Sequence, residues 1–207
     1  MTDYTTKMDE YNIIRKQQME ENKEKVLNVA LSLFLENDIF SITIIDIAKE
    51  ANISRATMYR YFKNKEEITF ILASRMMEKI YSVAFDGVSF ESNLTIVVGY
   101  RNMVKKFDEL VDAYRYIYMF DALNTNAKDI SPATINIYQN EYNNLIQDRL
   151  KNLPQAEARR HIVVINIIMD FMEDIASHSE LIPITQGISI AELLEEFEKT
   201  IDSLLNI

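Results

Sequence analysis

An all-α fold follows from three observations on this 207-residue chain. Glycine and proline are scarce at three each, no long stretch alternates polar and apolar residues, and apolar residues recur three and four apart. With 48% hydrophobic residues there is ample material for a core, in one large domain or two small ones.

The elements are taken in chain order. Residues 1–19 open with MTDYTTKMDEYN, acidic and polar, which reads as a tail or helix extension and not as a signal peptide. A first helix follows in KEKVLNVALSLFLENDIFSIT, with Val26, Leu27, Ala30, Leu33 and Phe34 as its apolar face. Thr43 then precedes a short stripe at Ile44, Ile47, Ala48 and Ala51; its hydroxyl and Asp46 form a capping-box pattern. Asn52 tolerates the left-handed backbone that stops this helix, Ile53 plugs the turn, and Ser54 caps the next helix. There Met58 and Phe62 point inward, Ala56 and Arg60 face the other way, and Thr57 and Tyr59 lie on the flanks with Arg55 leading. Asn64 caps a further helix beginning Lys65-Glu66-Glu67, whose cation and free amides suit a phosphate. Two short helices joined by a tight turn, the second with hydroxyls, arginines and tyrosines outward, form a helix-turn-helix layout suited to DNA. A generic helical hairpin with a solvated polar face explains any one of these positions but not their joint occurrence.

Beyond this segment the punctuation predicts a long helix from about Lys65 to Phe85, ended by Asp86-Gly87. Helices over about 93–107 and 108–125 follow, then one from Ser131-Pro132 to about Lys151, one from Pro154 to about Ser177, and a last from Ser189 to near Leu205. In the penultimate helix Ile162, Ile165, Met169, Met172 and Ala176 form one stripe, and Val164, Ile168, Phe171 and Ile175 a second. The last helix carries Ile190, Leu194, Phe197, Ile201 and Leu204. Apolar coverage this broad needs more than one neighbour, supplied by a second subunit or by a monomeric core buried on two sides.

With the helix before it, the segment Thr43–Glu67 closely resembles the N-terminal domain of the tetracycline-repressor (TetR) family of transcriptional regulators. The resemblance covers about residues 20–70; beyond that only helix order and length are similar. It departs from the family pattern where Asp38, Asn52 and Ala56 stand at positions often filled by glycine. It implies an N-terminal three-helix helix-turn-helix DNA-binding domain over 20–66 and a C-terminal helical ligand-binding and dimerisation domain over 67–207.

Carried over by position, the resemblance assigns Arg55, Ala56, Thr57 and Arg60 to base edges, with Ser54 at their head. Thr43, Tyr59, Tyr61 and Lys65 are assigned to phosphates. For Tyr61, packing beside Phe62 is the competing reading. The resemblance also implies a homodimer paired through the last two helices, with Val164, Ile168, Phe171, Ile175, Leu194, Phe197 and Ile201 at the interface. Such a dimer suits a pseudo-palindromic double-stranded operator.

Aromatic and thioether side chains suggest an effector cavity lined by Tyr100, Met103, Phe107, Tyr116, Met119, Phe120, Tyr138, Tyr142, Met169, Met172 and Glu173. Its occupant is expected to be flat, apolar, aromatic or cationic, although a Met/aromatic stripe at this spacing is also ordinary core. Asp170 and Glu173 can counter a cation or simply face solvent or a dimer rim. Gly99 inside a helix marks close packing or a cavity wall.

The net charge of −10 does not argue against DNA, because residues 41–65 hold five Lys/Arg against two Asp/Glu while residues 71–207 hold 12 against 20. Screening over about 8 Å leaves the local field in control. No cysteine means no disulfide or thiol chemistry, and His161 and His178 lack metal-ligand spacing; no metal, cofactor or enzymatic site is expected. The longest apolar run, Ile162–Met169, contains Asn166 and is too short for a bilayer of about 30 Å, so no membrane partner and a cytoplasmic location are expected. The sequence thus predicts a dimeric, ligand-responsive repressor, with an effector-independent architectural or activating DNA-binding protein as the alternative.

Overall fold

The computed structural model describes residues 2–88, 93–124, 150–182 and 187–205. All eight elements among them are helices: α1 Thr2–Glu36, α2 Ile44–Glu50, α3 Arg55–Tyr61, α4 Lys65–Ala84, α5 Asn93–Lys105, α6 Phe107–Asn124, α7 Gln155–His178 and α8 Ile190–Leu205. The helix expected from Ser131, and with it Tyr138 and Tyr142, lies outside the described residues. No described helix is long and apolar enough to cross a membrane.

The chain divides into two compact units, Met1–Leu72 and Ala73–Ile207. In the first, the end of α1 supplies Val26, Leu27, Ala30 and Phe34, all buried, and α1 packs on α2 and α2 on α3. Ile39, Ile47, Ala48, Met58, Phe62, Ile68 and Leu72 complete this small core. The polar stretch at the start of the chain continues α1 as helix, and every position from 9 to 18 is exposed.

The turn after α1 is built from side-chain bonds rather than left-handed backbone. Asp38 Oδ1 accepts from the Phe40 amide at 3.0 Å, and Ser41 Oγ donates to the Asp38 carbonyl at 2.7 Å. Asp38 and Asn52 both stand where the family often has glycine and are residue types that visit left-handed backbone, but only Asn52 takes it, at φ 54°.

In the second unit α6 and α7 make the most extensive pairing, α5 packs on α6, α7 and α8, and α7 touches α8. Gly99 on α5 is a packing position: a Cβ there would stand 1.9 Å from Cε1 of Phe85. The Phe85 ring meets Tyr100 edge-on at 6.0 Å, and the Tyr100 hydroxyl lies 3.0 Å from Nδ1 of buried His161 on α7. Burial first, and Arg160 after it, hold His161 below its ordinary pKa, with Glu157 opposing. Arg101 binds both carboxylate oxygens of Asp202 at 2.8 Å and so fastens α5 to α8.

Burial in the second unit bears on the residues expected at a dimer interface and in a cavity. Val164, Ile168, Ile175, Phe197 and Ile201, expected at a dimer interface, are buried within the single chain, where α7 packs on α5, α6 and α8. Phe171 stacks on Phe197 at 3.7 Å, and it and Leu194 stay half-buried. The uncovered apolar residues of α7 are instead Ile162, Val163 and Ile167, at 41%, 57% and 39% exposure. The expected cavity residues Tyr100, Met103, Phe107, Tyr116, Phe120, Met169 and Met172 are buried, and Met119 is half-buried.

Candidate nucleic-acid interface

The interface is prepared by the caps that fix α2 and α3. Thr43 Oγ1 accepts from the Asp46 amide at 3.2 Å, and the Asp46 carboxylate accepts from the Thr43 amide at 2.9 Å, closing the capping box. These bonds hold Asp46 below its ordinary pKa. After Asn52, Ser54 Oγ accepts from the Thr57 amide at 3.1 Å and starts α3. Met58, buried, pins the helix from below. Helical geometry then turns Arg55, Ala56, Tyr59 and Arg60 outward, and all four are exposed, with Thr57 intermediate.

Each arginine on this face lies against a tyrosine. The Arg55 guanidinium stands 5.5 Å from the centre of the Tyr59 ring, and that of Arg60 stands 5.3 Å from the Tyr61 ring. Such contacts restrain a long side chain at a cost to nothing else, worth about 0.5–1 kcal/mol when exposed. Arg55 and Arg60 therefore present donors suited to guanine O6 and N7, and Ala56 leaves room for a thymine methyl. Between Ser54 and Thr57 the hydroxyls are 2.9 Å apart and share one hydrogen, which leaves the other available to a DNA oxygen.

Three expected phosphate ligands are placed differently. Tyr61 is only 9% exposed, so its ring is core beneath Arg60 and the packing alternative describes it. Thr43 is exposed, yet its single hydroxyl hydrogen is directed to Asp46 Oδ2, and a phosphate would have to compete for it. Lys65 Nζ donates to the carbonyls of Ile39 at 3.0 Å and Ile42 at 2.9 Å, fastening the α1–α2 loop to the start of α4. Two amides around that start are also engaged: Asn64 Oδ1 accepts from the Glu67 amide, and Glu67 Oε2 accepts from the Lys63 amide. Exposed Lys63, between Phe62 and Asn64, is a cation the motif pattern did not single out. A basic residue at the turn leaving a recognition helix was the available signal.

A family model described as "Bacterial regulatory proteins, tetR family" matches residues 26–70, which hold every element of this interface. These residues form a DNA-binding segment of the tetR family. Among curated proteins it is 29% identical over 192 residues to the biofilm operon negative transcriptional regulator IcaR of Staphylococcus epidermidis, covering 89% of this chain and 97% of that protein. It is 32% identical over 60 residues to the transcriptional regulator HbdR of an Aromatoleum strain, where the match spans 29% of this chain and 26% of that protein. A solved structure of a tetR-family regulator from Mesorhizobium loti shares the fold, with a TM-score of 0.60 and 14% identity over 91% of this chain and 96% of that one. The chain is a DNA-binding transcriptional regulator and not an enzyme.

Proposed function

We propose that this tetR-family regulator acts as a dimeric repressor that leaves a pseudo-palindromic operator when a small molecule binds its second unit. The observation that carries the reading is α3, a helix capped by Ser54 whose outward residues are Arg55, Ala56, Tyr59 and Arg60. Arg55, Ala56, Thr57 and Arg60 are assigned to bases, and Tyr59 and Lys63 to phosphates. Thr43, Tyr61 and Lys65 act mainly by holding the domain in shape. Negative control is supported by the near-full-length similarity to IcaR, whose name states it.

Dimerisation is supported by the unpaired apolar residues Ile162, Val163 and Ile167 on α7, with Leu204 exposed on α8. A two-fold pairing there would present two α3 helices to half-sites about one turn, or roughly 34 Å, apart. Effector release needs little energy: a 100-fold loss of operator affinity corresponds to a coupling of about 2.7 kcal/mol. We assign the site for that effector to the α6–α7 pairing, the most extensive in the second unit.

The test is fluorescence anisotropy on duplexes taken from the DNA upstream of the chain's own gene, with matched scrambled duplexes. Repression predicts tight, sequence-dependent binding of two chains per site and higher expression of a reporter when the gene is deleted. Equal affinity for scrambled DNA, or one chain per site, would overturn it.

A further inference from the structure

We propose that Asp121 on α6 and Asp170, Glu173 and Ser177 on α7 form a site for an organic cation, the charged end of the effector; that last clause rests on the function proposed above. Asp170, Glu173 and Ser177 are three and four residues apart on α7 and so share one face. α6 packs along α7, and Asp121 is near enough that its charge acts on Glu173.

Two observations point to a missing guest. Glu173 is only 6% exposed, yet among the described residues neither it, Asp121 nor Asp170 has an ion pair or a hydrogen bond to its carboxyl. Ser177 Oγ, one turn further on, is buried and has no hydrogen-bond partner. Buried carboxyls and hydroxyls are ordinarily satisfied, so a place with one orphan of each kind and two more acids is incomplete. A metal ion does not fit, because no three His, Cys, Asp or Glu among the described residues converge as ligands. A planar cation with several N–H donors does, because its donors reach separated carboxylates.

The electrostatics agree. Burial first, then Asp121 and Asp170, push Glu173 up to about 8. Desolvation of its carboxyl and Asp170 raise Asp121, although that residue is exposed overall. The other ionisable groups at this pairing are Tyr114, which feels Glu173; Arg115, engaged by Asp112 and the Ala176 carbonyl; and Asp174, paired with His178. α5 and α8 add no charge that acts on Glu173. A cation that pairs with Glu173 at pH 7 therefore expels its proton.

The experiment is calorimetric titration of the full chain with benzamidine, and with neutral benzamide as its isostere, at pH 7 in two buffers of different ionisation enthalpy. Benzamidine binds with release of a proton, and benzamide binds at least about tenfold more weakly. Glu173→Gln, which stands in for the protonated acid and so preserves the fold, weakens benzamidine by at least about tenfold and abolishes the proton release. Ser177→Ala weakens it by a smaller factor. No benzamidine binding, equal binding of benzamide, or unchanged affinity in Glu173→Gln overturns the site. Binding as described with unaltered operator affinity leaves the site standing and refutes effector release instead.

Discussion

The ammonium of Lys65 donates to the carbonyl of Ile42 at 2.9 Å, and this bond makes the lysine a brace for the recognition domain. A second bond to Ile39 at 3.0 Å completes the brace. Replacing Lys65 by methionine leaves both carbonyls without that donor, and hydrogen bonds to charged groups are worth about 1.5–3 kcal/mol each. Urea denaturation is expected to show a loss of about 2 kcal/mol in the first unit, given partial exposure. The slope of operator affinity against salt should hardly change. A slope flattened by about one ion would return Lys65 to the phosphate contacts.

Arg55 and Arg60 should behave differently from Lys65. Alanine at either position is expected to cost about 1–3 kcal/mol on the cognate duplex and to relax preference at one base position per half-site. Non-specific binding should fall only slightly. Competition titrations with single-base operator variants separate these outcomes, and uniform weakening on every duplex would speak against base contact.

Tyr100 and His161 join α5 to α7 inside the second unit. Tyr100→Phe removes a hydroxyl bonded to a buried imidazole, at a cost of about 1–2 kcal/mol in chemical unfolding. In a double-mutant cycle with His161→Leu the pair should couple; independent, additive losses would show that the bond contributes nothing.

Glu173 gives a pH signature with a definite sign. Its folded value, about 8, lies above its ordinary 4.5. Between these values the unfolded chain has released the proton and the native one retains it, so stability declines as pH rises through this window. Glu173→Gln should therefore gain stability relative to wild type from pH 5 to pH 8, with the difference levelling off beyond. A melting-temperature difference that stays constant over that range would contradict it.

Val163 is the most exposed of the three apolar residues on α7 that lack cover. Val163→Glu should shift the chain toward monomer in sedimentation velocity while leaving its helical circular dichroism unchanged. Ile168→Glu, which places a charge in the interior of the same chain, should instead unfold the second unit. Equal behaviour of the two variants would refute the assignment of faces.

What could be read from the sequence was local. Thr43 with Asp46, Asn52 and Ser54 announce caps and a turn by residue type alone, and the structure forms each of them. Helix limits at Ala84, Asn93, Pro154 and Ser189 were likewise written in glycine, proline and capping residues. What stayed hidden depends on which surface covers which. Apolar stripes such as Val164–Ile168–Ile175 state that a face is buried but not whether the cover is intramolecular. The lysine stem reaches carbonyls more than twenty residues away, a pairing that spacing does not encode. Glu173 reads as a surface acid by type, and only the packing of α6 on α7 buries it.

The central claim, that α3 reads bases, is tested most directly by selecting binding sites from a random duplex pool with wild type and with Arg60→Ala. The wild type should enrich an inverted repeat with half-sites about one helical turn apart. Arg60→Ala should enrich the same repeat with one position per half-site degenerate. An identical motif from both proteins, or no motif from wild type, would contradict it.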